Sequence, residues 1–179
     1  MVPFTQIIPY PVAYAVSFIE QPDSPGEIST VYDLVAIVVD TKLDLDKAPY
    51  VGLSNQFQGL SQTSIGTRIM RYADDVVEKN PLTDVKIVFY DSSKDSVYDI
   101  SSALENLYLN GDGTRSNRLV GAVFVGDIPL PVVNKKGNRY ASIFPYTDFT
   151  DKAYNYDTAT KSFVRNESVT FPKPEIWHG

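Results

Sequence analysis

Three stretches constrain this chain more than anything else in it: VYDLVAIVVD (residues 31–40), TDVKIVFYD (83–91) and RLVGAVFVGD (118–127). Each has the length of a strand, is rich in β-branched residues and ends in aspartate. The first and third are apolar at consecutive positions, not at alternate ones. A strand with apolar residues on both sides cannot leave one side in water, so it suits the interior of a parallel sheet covered on both faces. The segments between the runs supply the covers. In residues 64–79, Ile65, Ile69, Met70, Ala73, Val76 and Val77 recur at helical spacing, with Ser64 to cap the start and Asn80-Pro81 to stop it. In residues 96–109, Val97, Ile100, Leu104, Leu107 and Tyr108 form a second stripe. Ser96 and Asp99 resemble a capping box there, and Gly111 ends the helix.

Strand, helix, strand, helix, strand predicts an α/β domain over residues 31–179. A mainly parallel sheet is flanked by helices in a three-layer arrangement of the caspase-like or flavodoxin-like kind. Beyond Asp127 the periodicity changes. Residues 128–144 read as a β-hairpin with Lys136-Gly137-Asn138 at its tip, and 152–168 as a second hairpin turning near 157–160. These are insertions in the C-terminal third. PEIWHG (174–179) opens like a further strand, so the sheet reads as incomplete at that end. Residues 1–30 form an irregular segment with a short strand over 12–19, and 41–63 a long polar loop.

Composition narrows the chemistry. The net charge is −6, and no basic cluster exceeds Lys135-Lys136, which argues against a nucleic-acid partner. The chain has no Cys and a single His, His178. Thiolate catalysis, a His-based triad and a Cys or multi-His metal site therefore cannot be built from it, and no catalytic residue is assigned. G-x-G-x-x-G, P-loop and G-x-S-x-G patterns are all missing, and the serines at 92, 93, 96, 101 and 102 read as caps. The N-terminal run lacks a basic flank and is broken by Pro3, Pro9 and Pro11, so neither a signal peptide nor membrane insertion is expected.

Ligands of parallel α/β sheets sit at the carboxyl ends of the strands, where Asp40, Asp91 and Asp127 fall. The competing reading is that these carboxylates cap helices and shape turns. Tyr146, Tyr154 and Tyr156, in a tyrosine-rich stretch from Tyr140, offer polar-tipped rings for a protein or glycan partner, against the plainer reading that they line the core. Asp148 and Asp151 lie in an oxygen-rich loop that would suit a structural calcium, although the spacing is not that of an EF-hand.

In order, LVGAVFVGDIPLP, FPYTDFTDKAYNYD and PEIWHG resemble a stretch of the gingipain-like cysteine peptidases with a caspase-like fold. Val125-Gly126-Asp127 matches their "VGD" strand end, Tyr146-Thr147-Asp148 through Tyr154 their "SD-x-x-Y" segment, and residues 174–179 their "IGR"-type strand, with Trp177-His178 departing from it. The resemblance implies an N-terminal portion of a secreted or cell-surface peptidase, or of an inactive relative. The catalytic His and Cys would lie in the missing C-terminal part of its own parent protein. It also implies that this chain forms one wall of a peptide-binding cleft and that His178 is not the catalytic histidine. The alternatives are a non-catalytic module binding protein or glycan through the tyrosines, and a flavodoxin-like small-molecule binder.

Overall fold

The computed structural model describes residues 32–43 and 65–179. The three expected runs form β1 (Tyr32–Asp40), β2 (Thr83–Tyr90) and β3 (Asn117–Val125), and the two periodic segments form α1 (Ile65–Lys79) and α2 (Val97–Asn110). β4 (Val132–Lys135) and β5 (Asn138–Ala141) follow, then a 3₁₀ turn (Phe144–Tyr146), β6 (Tyr154–Asp157), β7 (Ser162–Arg165) and β8 (Trp177–His178). The expected strand over 12–19, the Ser64 cap and most of the 41–63 loop lie outside the described residues.

The first sheet has the order β2-β1-β3-β8, and every pairing in it is parallel. This is the mainly parallel, helix-flanked α/β arrangement that the apolar runs predict. β1 is central, and from Leu34 to Val39 no side chain is more than 4% exposed. Its residues divide by the pleat. Leu34, Ala36 and Val38 pack with Ile100, Leu104 and Leu107 of α2, while Ile37 and Val39 pack with Ile69 and Ala73 of α1 and Ile87 of β2. The layers are helix, sheet, helix. Each fully buried aliphatic side chain here stabilises the fold by about 1.5–3 kcal/mol relative to exposure.

Local chemistry fixes the ends of α2. The Asp99 carboxylate accepts bonds from the Ser96 amide and hydroxyl, both at 2.7 Å, and these bonds hold it below the usual carboxylate range. This is the capping pair expected from the sequence. At the other end Gly111 has φ +66°, and a Cβ there would lie 2.3 Å from the Asn117 side chain.

The second sheet, β5-β4-β7-β6, is made of the two expected hairpins, joined by a parallel β4–β7 pairing. Both residues of the first hairpin turn, Lys136 and Gly137, have positive φ, as a two-residue turn between twisted strands requires. Aromatic contacts tie the hairpins to the first sheet and to α2. Tyr156 stacks on Tyr98 at 4.8 Å, Tyr108 packs against Phe149 at 5.4 Å and Tyr146 stacks on Phe124 at 5.5 Å.

Leu104 is fully buried at the centre of the α2 face. Leu104→Ala is expected to cost about 2–5 kcal/mol in a denaturant titration, the range for truncating a buried leucine whose site cannot fully collapse.

Candidate functional site at the carboxyl edge of the parallel sheet

Parallel alignment brings the three strand-end aspartates to one edge, since Asp40 pairs with Tyr90 and Val39 with Val125. The three then take different roles. Asp40 is 2% exposed. One of its carboxylate oxygens accepts the Lys42 amide at 2.9 Å, and the other accepts the Asp127 amide at 3.2 Å. It latches the turn after β1 to the turn after β3. Gly126 sits in that turn with φ +100°, and a Cβ there would lie 2.7 Å from the Asp40 Cβ. The Gly-Asp pair at the strand end thus has a physical cause: the glycine allows both the backbone conformation and the close approach, and the following amide reaches the buried carboxylate.

Asp91 shapes its own loop. Its carboxylate accepts the Ser93 amide at 2.9 Å and hydroxyl at 2.6 Å and pairs with Lys94 at 2.7 Å. The Lys94 and Ser93 bonds hold it well below the usual carboxylate range. Asp95 closes the same loop by accepting the Asp91 amide at 2.8 Å. Asp127 is exposed.

Beneath them lies Tyr90, 6% exposed. Its phenol is pushed up first by burial and then by the negative charges of Asp40, Asp95, Asp127 and Asp91. One hydroxyl therefore feels four carboxylates, and the edge is an acidic rim. The sequence alone does not single out Asp95 or Tyr90. Tyr90 reads as the last residue of a strand, and Asp95 as one polar residue among several before a helix.

The tyrosines of the expected binding face are placed unequally. Tyr146 is fully buried, and its hydroxyl donates to the Pro129 carbonyl at 2.8 Å. It belongs to the core and pins the segment after β3, because a buried phenol needs an acceptor. Tyr154 is half-buried, stacked on Phe144 at 6.1 Å with the Arg165 guanidinium 5.3 Å from its ring centroid. Tyr156 is held between Tyr98 and Phe163.

Asp148 is also internal. It is 6% exposed, and neither carboxylate oxygen has a hydrogen-bond partner. Burial, then the charges of Glu175 and Asp151, push its carboxyl up to about 6, while the Arg165 guanidinium and the Asp151 backbone amide pull the other way. Glu175 is committed elsewhere: it accepts the Phe149 amide at 2.6 Å and the Thr150 hydroxyl. Among the described residues, no three His, Cys, Asp or Glu side chains come together to hold a metal ion. The calcium expected near Asp148 and Asp151 thus has no such ligand set among them. His178 is exposed in β8, where it pairs with Ala122. None of the described helices is long and apolar enough to cross a membrane. No protein-family model, curated protein or solved structure matches the chain.

Two outcomes follow from these carboxylates. Asp40→Ala removes the acceptor from two part-buried amides, those of Lys42 and Asp127, and is expected to cost about 1–3 kcal/mol by chemical denaturation. For Asp148, the folded-state value lies above its ordinary 3.8, so its contribution to stability is full below that value and is lost as pH rises through about 6. Complete ionisation removes on the order of 3 kcal/mol. Asp148→Asn, which keeps the shape and never ionises, is expected to be more stable than the parent at pH 7.5. That advantage should shrink toward pH 4 when melting midpoints are compared across the range.

Proposed function

We propose that this chain forms one wall of a peptide-binding cleft and is not catalytic by itself. In this reading it is the N-terminal α/β portion of a gingipain-like peptidase or of an inactive relative. The reading rests on the acidic rim. Parallel pairing brings the strand-end carboxylates Asp40, Asp91 and Asp127 to the edge where ligands of parallel α/β sheets bind, and the turn after β3 is latched in place by Asp40. The absence of Cys and the single exposed His178 support a binding role over covalent chemistry. A rim of this sign favours peptides carrying Lys or Arg over acidic ones.

Binding of fluorescent peptides to the full chain tests this reading. A Lys/Arg-containing peptide is expected to bind, and its Glu-substituted counterpart to bind at least about tenfold more weakly, the equivalent of about 1.4 kcal/mol. Asp127→Ala should weaken the basic peptide without changing the fold, because that residue is exposed and its bond to Asp40 is made by the backbone amide. Equal binding of both peptides, or binding insensitive to Asp127→Ala and to salt, would refute the assignment.

A further inference from the structure

At the end of the first sheet opposite the acidic rim, on the side that α1 covers, lies a cleft of about 340 Å³. Small-molecule sites run from about 300 to 1,000 Å³, so this one suits a ligand of modest size. Trp177 and Tyr72 bring aromatic rings to it, and Val35 of β1 lies in its wall. Asp33, Asn80 and Thr83 bring a carboxylate, an amide and a hydroxyl. The lining is therefore about as polar as it is apolar, which suits neither a greasy ligand nor a simple ion.

The aromatic and the polar parts are both held in place. A Cβ at Gly121 would lie 2.0–2.4 Å from three atoms of the Trp177 ring, so the indole rests on bare β3 backbone. The ring is nonetheless 50% exposed, and Tyr72 is 45% exposed. An indole backed by a sheet and still half open to water is a fixed platform. On the polar side, the Thr83 amide donates to the Asn80 carbonyl at 2.8 Å, and the Asn80 side chain donates to the Val76 carbonyl at 3.2 Å. These bonds close the turn between α1 and β2. Asp33 is exposed and stands in none of the ion pairs formed among the described residues.

We propose that this cleft binds a neutral carbohydrate, with one hexopyranose ring stacked on Trp177 and its hydroxyls bonded to Asp33, Asn80 and Tyr72. A pyranose has a face of C–H groups and a rim of hydroxyls that both donate and accept. The C–H face matches an indole, whose π-cloud is negative on its face. The rim matches a carboxylate that accepts, and an amide and a phenol that do both. A purely apolar ligand would strip water from Asp33 and Asn80 without replacing its bonds. An ammonium group suits two rings and a carboxylate, but it cannot accept from Asn80 or Tyr72. The site lies at the other end of the strands from the acidic rim, so it stands or falls independently of the peptide-binding reading.

Trp177 is the sole tryptophan, so its fluorescence reports on this place alone. The full chain is titrated with cellotriose, maltotriose, galactobiose and chitotriose. At least one should shift the emission to the blue and reduce acrylamide quenching, with a Kd on the order of 1 mM. Raising the salt concentration should leave that Kd unchanged, because the ligand is neutral. Tyr72→Phe and Asp33→Asn, both at exposed positions, should each weaken the same sugar about three- to tenfold, the loss of one hydrogen bond. A second measurement needs no variant: saturating the aromatic protons of the parent chain should transfer magnetisation to the C–H protons of the bound sugar. If none of the four sugars alters the emission or receives transfer, the proposal is overturned. It is also overturned if both variants bind as the parent does. Protection of Trp177 by tetramethylammonium chloride but by no sugar would overturn it in favour of a cation cage.

Discussion

β1 has apolar side chains on both sides of its pleat, and from Leu34 to Val39 none of them reaches water to any extent. That condition organises the molecule. A strand buried on both faces needs a neighbour on each edge and a layer on each side. β2 and β3 supply the edges, and α1 and α2 supply the layers. Connections that pass through helices make the strands parallel, because each crossover returns the chain to the same end of the sheet. Parallel strands in turn put all their carboxyl termini on one side. The acidic rim is a consequence of how the core is built.

On that rim the carboxylates divide into structural and available groups. Asp40 is buried and spends both oxygens on backbone amides, one of them across the sheet at Asp127. Asp91 and Asp95 close the loop before α2. Asp127 is left exposed, on a turn whose shape is set by Gly126 and by the Asp40 latch. A short strand-end motif thus carries two jobs: the glycine admits the latch, and the aspartate after it gives the rim its outward charge.

The C-terminal third is organised by aromatic rings and less by aliphatic layering. Tyr146 threads its ring into the core and its hydroxyl to the Pro129 carbonyl, and Ser101 of α2 donates to the Pro145 carbonyl at 2.6 Å. Both bonds anchor one short segment between α2 and the end of β3. Asp148 follows directly and is buried with Thr147 and Phe149. Its neighbour Glu175 bridges that segment to the residues entering β8.

The amino-acid sequence by itself determined the elements of the parallel sheet and their ends. Period and composition are local properties: the runs at 31–40, 83–91 and 118–127, the helical stripes, the Ser96–Asp99 cap and the Lys136-Gly137 turn are each specified by residues a few positions apart. It also placed Asp40, Asp91 and Asp127 at one edge, since parallel order follows from helical crossovers. What only the tertiary structure decided is which of those groups face inward. Nothing near Tyr146 distinguishes it from Tyr140, yet one is fully buried and the other 41% exposed. Asp148 and Asp151 look alike in the chain, yet the first is interior and the second is at the surface. Burial of a side chain outside a periodic element is fixed by partners tens of residues away, such as Pro129, Phe124, Ser101 and Glu175 here, and no local pattern encodes those partners.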